Sequence, residues 1–287
     1  VHSTAQGNLE VQGSDVTQLL IPDLAVARPV SDAEVARFQR DGHISLTGVA
    51  TADEAAAYCD VITSAVDRRG RDPRPLAERD TYGKAFLQVE NLWVDDPEVA
   101  QFVLSARFAG IAAQLLGVKN VRLYHDQALI KEAGGGITPW HQDAMYWPLD
   151  GTKCITMWMP LVDITTDMGV LTFATGSHAR GALTDIEISD ASEGFFDDLV
   201  ASEGFEVTVP GPMSAGDASF HAGWTVHRAS GNTSDITRTV MTMIWFDADL
   251  VVQDPSNPAQ HRDLANWLPG CLPGDPAASS LNPRLGY

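Results

Sequence analysis

A β-sandwich or jelly roll with helices packed outside it is the fold class that this 287-residue sequence predicts. Three observations carry the prediction. Helical periodicity predominates in the chain up to Leu116. From Val121 onward the pattern changes to short alternating apolar and polar runs. Each run is bounded by Gly, Pro, Asn or Asp, and helices followed by many short strands fit a layered β fold with outer helices. Sandwiches and barrels of this length form one domain. A single domain is therefore expected over 29–287. Residues 1–28, rich in Gln, Ser, Thr and Gly, are expected to be a mobile arm.

The helices are read from their caps. Ser31 with Glu34 three residues on forms a capping box, Val35 and Phe38 supply the apolar face, and Asp41-Gly42 ends the helix. Residues 44–49 alternate as a strand. Thr51 with Glu54 opens a second helix over 51–67. Residues 68–79 are charged and hold Pro73 and Pro75, so a loop is expected. Residues 86–93 read as extended. One helix is expected over 96–116, through Val99, Phe102, Val103, Phe108, Ile111 and Leu115, ending at Gly117. The strands that follow are expected at 121–131, 154–162, 169–173, 205–209, 218–221, 226–228 and 238–246. Residues 181–204 are acidic and weakly periodic, which reads as an insertion or lid. The Pro-rich tail from Asp254 is expected to wrap the surface.

Composition narrows the function. The formal net charge is −19, and 44% of residues are hydrophobic. So acidic a surface repels nucleic acid and anionic membrane and leaves a small molecule as the expected partner. Cys59, Cys154 and Cys271 are odd in number and far apart, without a C-x-x-C pair, so reduced thiols are expected. No uninterrupted apolar run long enough for a transmembrane helix occurs, and no basic patch followed by an apolar core opens the sequence. A cytoplasmic protein, monomeric or homodimeric, is the expectation.

The chemistry concentrates in Thr138-Pro139-Trp140-His141-Gln142-Asp143. In an extended chain His141 and Asp143 point to one face. Trp140, Tyr146 and Trp147 crowd the motif, and the turn Gly134-Gly135-Gly136 precedes it. His221 and His227 both offer a third ligand. His227 is preferred because a turn, Ala229-Ser230-Gly231-Asn232, and then an apolar strand with a lone cation, Arg238, follow it. Two imidazoles and a carboxylate on one face, with open positions opposite, are the donor set of non-haem Fe(II) oxygenases. A guanidinium on an apolar strand needs a carboxylate. A dicarboxylate cosubstrate and an internal salt bridge both answer that need.

His141-Gln142-Asp143, then Met157 to Asp163, Met168 to Leu171 and Gly176-Ser177-His178, then Gly216-Asp217, His227, Asn232, Ser234 and Arg238, resemble the phytanoyl-CoA dioxygenase family. The resemblance implies a double-stranded β-helix, a distorted jelly roll. It implies Fe(II) on His141, Asp143 and His227, with 2-oxoglutarate and O2 as cosubstrates and succinate and CO2 as products. It implies that Arg238 takes the distal carboxylate of 2-oxoglutarate, with Gln127, Trp158 and Thr138 lining that pocket and Lys131 a further basic residue. Related halogenases replace the carboxylate ligand with a small residue; Asp143 is retained, which argues against halogenation.

The expected reaction is oxidation of an unactivated C–H bond by hydroxylation, cyclisation, epimerisation or desaturation, of the kind used in secondary-metabolite biosynthesis. Tyr146, Trp147, Met145, Phe86, Trp224 and Met157 suggest an apolar, aromatic wall suited to a hydrophobic or polycyclic substrate. A hydroxylase of a fatty-acyl or amino-acid-derived substrate is the alternative. A non-catalytic jelly-roll sensor that keeps the metal is the reading from a different class, and it has no use for Arg238.

Overall fold

The structure, a computed structural model, describes residues 21–70 and 74–286. The elements in chain order are α1 (Asp32–Asp41), β1 (His43–Leu46), α2 (Ala52–Arg69), α3 (Thr81–Ala85), β2 (Leu87–Glu90), α4 (Pro97–Val103), α5 (Ala106–Leu116), β3 (Asn120–Lys131) and β4 (Thr138–His141). They continue with β5 (Cys154–Pro160), β6 (Leu171–Ala174), α6 (Asp190–Glu203), β7 (Val207–Thr208), β8 (Ala218–Ala222), β9 (His227–Ala229), β10 (Arg238–Asp247), α7 (Pro258–Trp267) and β11 (Arg284–Gly286).

Two antiparallel sheets face each other. The larger runs β1-β8-β5-β10-β3, and the far side of β3 is shared by β2 and β11. The smaller runs β4-β9-β6-β7. This is the distorted jelly roll expected of the chain. The main core lies between the large sheet and the layer of α2, α4 and α5, and strand periodicity decides which side chains enter it. Met241, Met243 and Trp245 on β10 and Ile155, Met157 and Met159 on β5 pack with Phe102, Phe108 and Ile111 of the helices. The intervening Thr156, Trp158, Thr242 and Ile244 face a cavity between the sheets. Met157 therefore belongs to the helix-facing core and not to the substrate wall, because it stands one residue out of phase with Trp158.

The capping boxes at Ser31/Glu34 and Thr51/Glu54 form as read from the sequence. Four expectations need correction. Residues 96–116 make two helices, α4 and α5, which break at Leu104 and Ser105. Ser105 there turns its hydroxyl to Leu24 O at 3.1 Å. The stretch Pro97–Leu116 is long and apolar enough by composition to cross a membrane, but 72% of its window is buried inside the protein. Residues 190–203 are a regular helix, α6, capped by Ser189 and closed by Gly204 with φ 68°. The tail adds α7, started by Asn257-Pro258, and the edge strand β11.

Of the expected arm, residues 1–20 lie outside the described residues. The following stretch lies against the helices: Leu24 is buried, Tyr58 donates to Pro22 O at 2.9 Å and Arg107 to Val26 O at 2.8 Å.

Candidate metal centre and anion pocket

β4 and β9 are register partners with His141 directly opposite His227. Facing positions on paired strands bring side chains together, and the two imidazole centroids are 4.1 Å apart. The strand ends at His141, and Asp143 opens a short 3-10 turn over Asp143–Met145. The carboxylate thus reaches the common face from a turn and not from a continuing strand. His141, Asp143 and His227 place one ligand atom each within 4.8 Å of one another, which suits a metal ion.

The outer contacts fix which atoms face inward. His141 Nδ1 meets Pro139 O at 2.7 Å, and His227 Nδ1 meets Thr225 O at 2.9 Å. Each Nδ1–H is committed to a backbone carbonyl, so each Nε2 keeps its lone pair for a metal. Asp143 Oδ2 accepts from Thr156 Oγ1 at 2.9 Å and from His221 Nε2 at 3.1 Å. Its Oδ1 faces His141 Nε2 at 3.4 Å and His227 Nε2 at 3.7 Å. His221 therefore supports the carboxylate from the larger sheet, while His227 sits on the common face.

Burial, then repulsion from His141 and His221, pushes His227 well below its ordinary value, so it is neutral at pH 7. Burial raises the Asp143 carboxyl. Its contacts with His227, His141 and His221 outweigh that and hold it well below the usual carboxylate range.

Arg238 opens β10 opposite Lys131 of β3, and both side chains are buried. Among the described residues neither forms an ion pair with a carboxylate. The Arg238 Nη1 donates to Gly169 O, its Nε is buried without a partner, and its guanidinium lies 5.1 Å from the Trp158 ring centre. Thr138 Oγ1 is a second buried, unpartnered polar atom on the same cavity. Gly169 is required where it stands: its φ is +83°, and a Cβ there would lie 2.6 Å from Ser230 O and 3.2 Å from Arg238 Nη1.

Burial alone pushes Arg238 down to about 9, so it stays charged at neutral pH. Burial, then repulsion from Arg238, pushes Lys131 down from 10.5 to about 7. The unfolded chain then binds the Lys131 proton more tightly than the folded chain between those values, so stability rises as pH climbs through that window. Lys131→Met is expected to flatten this rise and to raise the melting temperature at pH 7, by roughly 2–4 °C per kcal/mol relieved. Melting curves taken across pH 7 to 9 check this, and an unchanged slope would contradict it.

The metal-binding face and Arg238 share one cavity of about 480 Å³. Gln127, Trp158, Thr138, Phe86, Tyr146 and Trp147 line it. Met145 and Trp224 do not; they border a separate surface depression. The 3-10 turn is the reason for Met145, because successive side chains there diverge by a third of a turn. Trp140 also points away: its ring packs with Phe196 of α6, and its Nε1 donates to Asp197 at 2.8 Å. The sequence reading missed cavity residues from distant elements, namely Glu90, His125, Glu187, Asp263 and Trp267.

A jelly roll with two imidazoles and a carboxylate on one face, next to a buried arginine, defines a non-haem iron dioxygenase. The chain belongs to the phytanoyl-CoA dioxygenase family, whose model matches residues 38–240. It is 32% identical over 130 residues to phytanoyl-CoA dioxygenase domain-containing protein 1 of Danio rerio, a match covering 43% of this chain and 44% of that relative's length. The structure resembles the non-heme alpha ketoglutarate dependent carbocyclase SnoK from nogalamycin biosynthesis, with TM-score 0.72, 26% identity, and 89% and 96% of the two chains covered. It also resembles the epimerase SnoN in complex with Fe3+, alpha ketoglutarate and nogalamycin RO, with TM-score 0.70, 26% identity, and 87% and 96% covered.

Proposed function

We propose that this chain is an Fe(II)- and 2-oxoglutarate-dependent oxygenase that oxidises an unactivated C–H bond of a small, hydrophobic or polycyclic molecule of the secondary-metabolite kind. The observation that carries the reading is the juxtaposition in one cavity of a three-ligand face and a buried arginine that meets no acid among the described residues. A metal-keeping sensor has no use for the second feature. The donor set fits iron: two imidazoles that turn Nε2 to the common face and one carboxylate, each held by an outer hydrogen bond. The anion pocket fits a dicarboxylate: Arg238 Nε and Thr138 Oγ1 are buried polar atoms that a carboxylate would satisfy.

His141, Asp143 and His227 would hold the metal. Arg238 would grip the far carboxylate of 2-oxoglutarate under Trp158, with Lys131 behind it and Gln127 and Thr138 alongside. Iron with 2-oxoglutarate and O2 supplies the oxidant that removes hydrogen from a C–H bond, leaving succinate and CO2. The protein's own work is positioning. Phe86, Tyr146 and Trp147 wall the remaining space, exclude water and present one carbon to the metal face. Succinate formation from 2-oxoglutarate, measured with and without polycyclic candidate substrates, tests the reading. Absence of Fe(II)-dependent succinate under all conditions would sink it.

The catalytic unit spans 29–287, and its lid is confined to the first part of 181–204. α6 is docked: Phe196 and Val200 are buried with Trp140, and Arg228 joins Glu193 at 2.7 Å. The preceding loop brings Glu187 and Ile188 to the cavity, and Ile188 N donates to the Tyr146 hydroxyl at 2.8 Å. Tyr146→Phe removes that acceptor, a loss of about 1 kcal/mol. Hydrogen exchange in 182–189 is then expected to quicken several-fold while β10 stays slow. Equal exchange in parent and variant would count against this latch.

A further inference from the structure

The cavity has a second polar end that plays no part in the scheme above. Glu90 closes β2 and Asp263 lies within α7, and both line the cavity. Glu90 accepts from Gln88 Nε2 at 2.9 Å, and Asp263 accepts from the Tyr124 hydroxyl at 3.0 Å. Among the described residues neither forms an ion pair. The cation nearest this end, Arg262, is held by Glu187 at 2.5 Å, so the rim carries a third acid along with it. Burial raises both carboxyls, and repulsion from Glu90 adds to the rise of Asp263, which reaches about 7. Two partly buried acids whose nearest cation, Arg262, is turned to Glu187 are costly to ionise unless a bound molecule supplies a cation.

His125 is an independent sign of a polar ligand. It lines the same cavity and is only 3% exposed, and beyond the backbone of Asp126 its Nδ1 meets no hydrogen-bond partner among the described residues. Burial pushes this imidazole down to about 4, so it is neutral. Trp267 stands 4.9 Å from its ring, and Trp267, Trp147 and Tyr146 add aromatic faces to this region of the wall. Aromatic faces attract cations and apolar rings alike. The cavity is thus bipolar, with Arg238 at one end and unpaired acids among aromatic rings at the other. A neutral polyol would satisfy the hydrogen bonds but would not offset the cost of ionising the two carboxyls.

We propose that this end of the cavity binds a protonated amine carried by the substrate, with Glu90 and Asp263 as its carboxylate partners and Trp147 and Trp267 as its walls. His125 accepts from a neighbouring hydroxyl or N–H of the same molecule. The proposal rests on the oxygenase reading, because the anchored ammonium then sets which carbon meets the metal face. It narrows the substrate from hydrophobic or polycyclic to amphiphilic: an apolar body with a basic nitrogen.

The test compares cyclohexylammonium with cyclohexanol, two probes that share a ring and differ in charge. Their affinities for the Fe(II)- and 2-oxoglutarate-loaded protein, kept anaerobic, are measured by ligand-observed NMR titration. The ammonium is expected to bind about tenfold more tightly, as a close charge pair in a partly desolvated site requires. Asp263→Asn and Glu90→Gln should each reduce that preference, and the double variant should remove it. Equal affinity of the two probes, binding of neither, or a preference intact in the double variant would overturn the proposal. The comparison on the parent protein decides the matter even where the double variant does not fold. Uptake of 2-oxoglutarate is followed separately on the same samples. Its failure would count against the oxygenase reading, while the charge preference is scored on its own.

Discussion

His141→Ala, Asp143→Ala and His227→Ala are each expected to reduce Fe(II)-dependent succinate formation to background. Each variant leaves two ligands where the face offers three, and the remaining pair cannot hold the metal in the same geometry. His221→Ala is the informative contrast. His221 donates to Asp143 Oδ2, the oxygen turned away from the imidazole pair. Its loss leaves Thr156 as the remaining donor to that oxygen. Removal of such an outer partner typically costs about 10- to 100-fold in metal affinity or activity, not all of it. Metal content and succinate yield measured on the four variants check the assignment. Full activity in His227→Ala together with complete loss in His221→Ala would reverse it.

Arg238→Ala is expected to weaken 2-oxoglutarate binding by hundreds- to thousands-fold while the protein still takes up Fe(II). The guanidinium is buried and keeps its charge, and among the described residues its Nε has no partner, so that edge is available to a bound carboxylate. Breaking a buried charge pair costs about 3–5 kcal/mol, which is that range in affinity. Arg238→Lys keeps the charge and loses the fork, and should fall between the two. Calorimetric titration of 2-oxoglutarate into the metal-loaded variants measures the difference. Unchanged affinity in Arg238→Ala would move the anchor to Lys131, its register partner on β3.

The parts of this molecule that were legible in the sequence are those encoded locally. Ser31 with Glu34 and Thr51 with Glu54 mark helix starts because a capping box closes within four residues. The alternation in β5 and β10 is visible because each strand puts every second side chain into the helix-facing core. The motif around His141 carried a family resemblance, and the three residues it pointed to lie together on one face.

What was not legible depends on partners distant in sequence. The break between α4 and α5 is set by Ser105 meeting Leu24 O, a contact outside the helical pattern. α6 escaped notice because its face is mostly acidic, although Ser189 and Gly204 bracket it as cap signals. The Asn257-Pro258 pair likewise signalled the start of α7. The choice between His221 and His227 required knowing which oxygen of Asp143 each approaches. The acidic end of the cavity joins β2 to α7, and no short motif links two such elements. The aromatic wall was half legible. Phe86, Tyr146 and Trp147 face the cavity, while Met145, Met157 and Trp224 are turned elsewhere by a 3-10 turn, a strand phase and a surface loop.

The central claim is that one metal face and one anion pocket serve a single iron and a single 2-oxoglutarate. An anaerobic titration of 2-oxoglutarate into Fe(II)-loaded protein, followed by visible absorbance, addresses both at once. The account predicts a metal-to-ligand charge-transfer band that saturates at one equivalent per chain and is absent from His227→Ala. A protein that binds Fe(II) yet develops no such band at saturating 2-oxoglutarate would contradict it.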